Sequence, residues 1–224
     1  MDTTQEINAG QMISDEEAIR RVLAGEGRLY EVIMRRYNAR LYRIGMSIVN
    51  NETEVEDIMQ VAYIKAYEHL HTFNHKSAFG TWLTRILINE SLLHLKKSKR
   101  YTAMESDNRT NQVVTAVSSE STPAKALLNK ELGRILEDAL IQIPEKYRMV
   151  FVMREIENMS VAETVDSLNI SEANVKVRLN RAKTMLRDTL SDYYKSDGIY
   201  EFHLTRCDRI VNKVFARLGI AIVP

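Results

Sequence analysis

Apolar residues recur at helical spacing along almost the whole of this sequence, and strand-like alternation is absent. That period constrains the fold most, because side chains one turn apart share a face and need a common core. With only 8 Gly and 3 Pro in 224 residues, few positions can break a helix. The spacing predicts a first helix over 15–25, capped by Ser14. A second is expected over 28–49, with Leu29, Val32, Ile33, Tyr37, Leu41, Ile44 and Ile48 on one side. A third over 52–70 buries Val55, Ile58, Met59, Ala62, Ala66 and Leu70, and a fourth follows a polar loop over 79–97. The pattern stops at 101–123, YTAMESDNRTNQVVTAVSSESTP, which is rich in Ser, Thr and Asn. Structureless loops of that length are uncommon inside one compact domain, so this stretch is expected to be a flexible linker. Helical order resumes over 124–141 with Leu128, Leu132, Ile135, Leu136, Ala139 and Leu140, breaks at Pro144 and continues over 145–156. The expected fold class is all-α: a helical domain over 14–100, the linker over 101–123, a second helical domain over 124–192, and a C-terminal helical extension over 193–224.

The second half carries the sharpest local pattern. Ser160–Glu163 reads SVAE, a capping box that starts a helix whose apolar face is Val161, Ala162, Val165 and Leu168. Asn169 tolerates the left-handed conformation of a tight turn, Ser171 suits the next N-cap, and Glu172 suits that helix's positive end. Residues 174–187, NVKVRLNRAKTMLR, follow with Lys176, Arg178, Arg181, Lys183 and Arg187 and no acid. Val175, Leu179, Ala182, Met185 and Leu186 form its apolar stripe. Solvated surface helices usually interleave both charge signs, and this one does not. Helix, short turn and basic helix make a helix-turn-helix, whose second helix enters a DNA major groove.

Formal net charge is +1, so the basic helix is a local concentration. A protein that grips DNA unaided usually carries more positive charge, so another component is expected to supply affinity. Cys207 is the only cysteine, which excludes an internal disulfide. No apolar run is long enough to span a bilayer, and MDTTQEINAG lacks the features of a signal peptide, so a cytoplasmic protein without membrane insertion is expected. No metal-ligand cluster, nucleophile motif or Gly-rich phosphate loop is present, which argues against an enzyme and against a cofactor.

A family resemblance rests on several motifs in order. Glu56-Asp57-x-x-Gln60 and then Lys65-Ala66-Tyr67 resemble region 2.2 of a bacterial RNA polymerase sigma factor of the extracytoplasmic-function (ECF) type, in the sigma-70 family. Phe79-x-Thr81-Trp82-Leu83-x-x-Ile86-x-x-Asn89 resembles regions 2.3 and 2.4. Leu140-x-x-Ile143-Pro144-Glu145-x-Tyr147-Arg148, Arg154-Glu155, Ser160-x-x-Glu163 and Val175-Lys176-x-Arg178-Leu179-x-Arg181-Ala182 resemble region 4. The likeness covers about residues 14–190. It implies an alternative sigma factor that binds core RNA polymerase, on the clamp helices of the largest subunit and on the flap, and directs promoter-specific initiation. It further implies a promoter DNA partner, read as duplex at the minus-35 element and as melted strand at the minus-10 element, and an anti-sigma factor.

The resemblance also assigns residues. Glu54, Asp57 and Gln60 are expected to bind core polymerase; Asp57 and Gln60 lie three apart, on one helix face. For the minus-10 strand the candidates are Asn74, His75 and Lys76 in the loop, Asn89, and the basic run Lys96, Lys97 and Arg100. Single strands are held by aromatic stacking and basic grooves, and a flipped base is read in a pocket. Trp82 shares helical spacing with Phe79 and Ile86 and is expected in the core instead. Leu93 stands where many relatives carry an acid, and Asn174 where many carry Thr. For the minus-35 duplex the candidates are Glu172, Ala173, Asn174, Lys176, Val177, Arg178 and Arg181.

In the tail, Phe202, Ile210, Val214 and Leu218 suggest an amphipathic helix. His203 and Cys207 are four apart, but two ligands do not make a metal site. Two other readings fit parts of the pattern: a helix-turn-helix regulator that binds operators without polymerase, and a helical scaffold. The acidic third helix and the FGTWL segment disfavour the first, and the acid-free basic helix disfavours the second.

Overall fold

A computed structural model describes residues 13–104, 123–196 and, in the tail, 209, 210, 213 and 217. Every regular element among them is helical: α1 (Asp15–Leu23), α2 (Tyr30–Val49), α3 (Glu52–Glu68), α4 (Phe79–Met104), α5 (Pro123–Gln142), α6 (Glu145–Phe151), α7 (Val161–Leu168) and α8 (Glu172–Ser196). Short 3-10 turns precede α2 and follow α3, and a π-helical turn, Val152–Ile156, follows α6. Residues 105–122 of the expected linker, and His203, Cys207, Phe202, Val214 and Leu218 of the tail, lie outside the described residues. α4 runs to Met104, a few residues into the stretch expected as linker.

The caps follow local chemistry. The Ser14 side chain accepts from Glu17 N, and the Asn51 side chain accepts from Glu54 N. Asn50 ends α2 in the left-handed conformation at φ 56°. Its amide nitrogen still donates to Met46 O, so the reversal into α3 leaves no orphan donor there. Gly45 lets α3 approach α2 closely, since a Cβ there would lie 2.8 Å from Val55 Cγ1.

α2, α3 and α4 pack on one another around Ile33, Leu41, Ile44, Ile58, Leu83, Leu87 and Ile88. Lys65 Nζ reaches Glu90 Oε1 at 2.7 Å, and Tyr63 Oη donates to Asn38 Oδ1 at 2.8 Å. The same core cluster contains Met149, Val152, Met153 and Met159 from beyond the linker. α6 packs on α2, and α7 on α4. Arg148 is buried there: its Nε donates to Ser47 O at 2.6 Å and its Nη1 to Ile141 O at 3.0 Å. Burial holds the Arg148 guanidinium below its usual pKa.

The structure turns α7 differently from the periodicity. Thr164 and Ser167 are its buried residues, whereas Ala162 is exposed and Val161, Val165 and Leu168 are partly buried. Small polar side chains allow the close approach to α4, where Thr81 and Thr84 are buried too. Thr164 satisfies its hydroxyl on Ser160 O at 2.8 Å.

Candidate nucleic-acid interface

The helix-turn-helix forms as its sequence dictates. Ser160 accepts from Glu163 N at 3.1 Å and Glu163 Oε2 accepts from Ser160 N at 2.6 Å, which completes the capping box. That N–H, followed by the Ser160 hydroxyl and the charge of Arg40, holds the Glu163 carboxyl below the usual range. Asn169 adopts φ 50°, ψ 49° and turns the chain into α8, where Ser171 Oγ accepts from Asn174 N at 3.3 Å. Val175, Ala182 and Leu186 are buried. Glu172, Ala173, Asn174, Lys176, Val177 and Arg181 are exposed, and Arg178 is half-buried.

The charge on this helix is less free than its composition implies. Lys176 Nζ lies 2.6 Å from Glu172 Oε1, and that pair holds the Glu172 carboxyl low. Lys183 Nζ reaches Glu155 Oε1 at 2.9 Å. Arg181 Nη1 donates to Tyr147 Oη at 3.0 Å and keeps the Tyr147 phenol below its usual pKa. Arg178 and Arg187 form no ion pair among the described residues. Periodicity alone cannot show such pairing, because Glu155 and Tyr147 belong to other elements.

A second surface lies around the loop before α4. Asn74, His75 and Lys76 are all exposed. Asn74 Oδ1 accepts from Lys76 N at 3.3 Å, and His75 sits at φ 57° with its ring 4.6 Å from that of Phe73. Phe73, Phe79 and Trp82 stack as a tilted cluster with centroids 5.3–5.5 Å apart, and Trp82 packs partly buried against the core. The loop backbone is thus held on an aromatic base while its polar tips face solvent. Asn89 is exposed on the next turns of α4, as are Lys96, Lys97 and Arg100. Lys96 and Arg100, with Lys99, Leu92 and Leu95, border an open groove of about 460 Å³ that Glu145 also lines.

A third surface lies on α3. Asp57 and Gln60 are exposed, while half-buried Glu54 holds His94 Nε2 at 2.9 Å from Oε2. Beside them Val61 is 42% and Ile64 58% exposed, so a mixed acidic and apolar face is presented. Sequence reasoning missed Val61 and Ile64; their signal was their place off the buried stripe Val55, Ile58, Ala62 and Ala66, one turn beyond Asp57 and Gln60. It also missed Glu157, whose carboxylate takes Arg43 on Oε1 and Arg40 Nε on Oε2 at 3.5 Å. Among the described residues no group of three or more His, Cys, Asp or Glu side chains could hold a metal, and no helix is long and apolar enough to cross a membrane.

Residues 33–101 match the family described as Sigma-70 region 2, and residues 133–186 match Sigma-70, region 4. The chain is similar to the ECF RNA polymerase sigma factor SigW of Bacillus subtilis, at 29% identity over 181 residues, covering 79% of this chain and 97% of SigW. Its fold is similar to that of RpoE, solved with the anti-sigma factor NepR from Bartonella quintana: TM-score 0.62, 17% identity, covering 72% of this chain and 96% of RpoE. It is also similar to that of CnrH, solved with the cytosolic domain of CnrY: TM-score 0.56, 22% identity, covering 80% and 97%.

Proposed function

Because this chain belongs to the sigma-70 family of RNA polymerase sigma factors, as one of its ECF members that direct transcription initiation, we propose that it reads promoters in two parts. The N-terminal end of α8 enters the major groove of the minus-35 duplex. The Asn74–Lys76 loop and the exposed side of α4 hold the melted minus-10 strand. As a sigma factor the chain is non-catalytic; bond formation belongs to the polymerase.

The observation that carries this reading is the coexistence of two exposed polar and basic surfaces of different chemistry on one chain. The first is a capped recognition helix with Asn174, Lys176 and Arg178 outward. Such residue types read base edges and phosphates in duplex DNA. The second is a loop seated on aromatic rings, which suits an unstacked base. Core polymerase is proposed to dock on the α3 face through Asp57 and Gln60 at its acidic rim and Val61 and Ile64 at its apolar centre. Charge complementarity would set register and encounter rate more than affinity. An anti-sigma factor is proposed as the regulatory partner, supported by the partners solved with RpoE and CnrH.

The test is reconstitution with core RNA polymerase on genomic DNA. Promoter-specific transcripts are expected from the wild-type chain. Asp57→Lys should abolish core pull-down and those transcripts while leaving the fold unchanged by circular dichroism. Unchanged pull-down of the variant would refute the α3 docking face. Specific operator binding with no core association would favour a polymerase-independent regulator.

A further inference from the structure

We propose that the packing of α6 and α7 onto α2 and α4 is an autoinhibitory contact, latched by Glu157 and by Arg148, that must open before both promoter elements can be read together. The inference rests on the two-part reading above. In the packed arrangement α7 touches α4, and α8 begins three residues after α7. At about 1.5 Å per helical residue, Asn89 lies within about 23 Å of any point on α4. From any point of α7 to Asn174 the chain adds at most about 26 Å, taking ~1.5 Å per helical residue and ~3.6 Å per turn residue. With an interhelix distance of about 8–10 Å, Asn89 and Asn174 are at most about 60 Å apart. The minus-10 and minus-35 elements are separated by about 25 base pairs, or about 85 Å at ~3.4 Å per base pair. Each reading surface is exposed, so the packed chain can use either one, but not both on one promoter.

The chemistry of the contact suits a latch. Glu157 has a side chain only 5% exposed, and both of its oxygens are taken by arginines of α2. Arg148 spans the same boundary, with Ser47 O on α2 and Ile141 O on α5 as its acceptors. Glu163 adds a carboxylate within the field of Arg40. Opening returns these groups to water, so their desolvation is recovered, which favours a reversible contact over an obligate one. Residues 105–122 can extend to about 60 Å, so chain length permits the opening.

The test compares the full-length wild-type chain with Glu157→Gln, each with dyes on Glu68→Cys in α3 and Asn180→Cys in α8 in a Cys207→Ser background. Glu157→Gln should lower energy transfer in the free chain. Core polymerase should bring wild type and variant to the same low value. On a fork DNA, duplex at minus-35 and single-stranded at minus-10, the free variant should bind about tenfold more tightly, as expected when an open state rises from about 1% to 10%. A minus-35 duplex alone should bind both equally. Arg40→Gln with Arg43→Gln, which alters the other side, should reproduce the opening. Unchanged energy transfer on both latch mutation and core binding would overturn the proposal, as would disagreement between the two variants. Loss of minus-35 duplex binding by the wild-type chain would instead remove the α8 reading and leave the latch to be judged by energy transfer.

Discussion

Arg178 and Arg181 stand less than one turn apart on α8, yet only Arg181 has a protein partner, the Tyr147 hydroxyl. Sequence treats them alike, as two basic residues on the non-apolar side of one helix. The structure separates them because Tyr147 comes from α6 and no helical period relates the two. Arg178 is therefore the better base or phosphate contact. Arg178→Ala is expected to weaken minus-35 duplex binding by about 1–3 kcal/mol, measured by titration of the duplex with holoenzyme. Retained affinity would mean that α8 docks in another register. Glu54 shows the same effect in the acidic patch: His94 occupies its carboxylate, which leaves Asp57 and Gln60 as the outward residues of that face.

At the scale of elements, the caps were legible and the packing faces less so. Asn169, Ser160 and Ser171 act through their own backbone neighbours, so their roles follow from order alone. The Ser160–Glu163 box gives a pH signature. Its folded carboxyl lies below the ordinary 4.5. The stabilisation is thus fully present above the unfolded value and is lost as pH falls through the lowered folded value. Ser160→Ala should cost about 1 kcal/mol at neutral pH, and the advantage of wild type over Glu163→Gln should vanish in acid; thermal denaturation from pH 7 to pH 3 checks both. The buried face of α7 was not legible, since it consists of Thr164 and Ser167. Hydrophobicity does not mark a face chosen for closeness of approach. The π-turn at Val152–Ile156 was likewise read as plain helix, because its extra residue alters backbone pairing and leaves apolar spacing intact.

At the scale of the whole molecule, the matches to sigma regions 2 and 4 end at residue 186, and 181 aligned residues already cover 97% of SigW. Deletion of residues 197–224 is therefore expected to leave core binding and promoter-specific transcription intact in a run-off assay. Loss of either would give the extension a direct part in initiation. The core shared by Ile44, Ile48, Met149, Val152 and Met153 belongs to this scale as well. The apolar stripes of α2 and of the 145–156 segment each announce a buried face, but neither says that they bury against each other.

The sequence by itself determined the all-α class, the helix-turn-helix, the caps and the identity of the surfaces that face DNA and polymerase. These depend on periodicity and on interactions within a few residues, which order along the chain encodes directly. Only the tertiary structure decided which charges are free and which are paired, which face α7 buries, and that Glu157 meets Arg43 across 114 positions of sequence. Such contacts follow from how finished elements close on one another, and side-chain order within any one element carries no record of its distant partner.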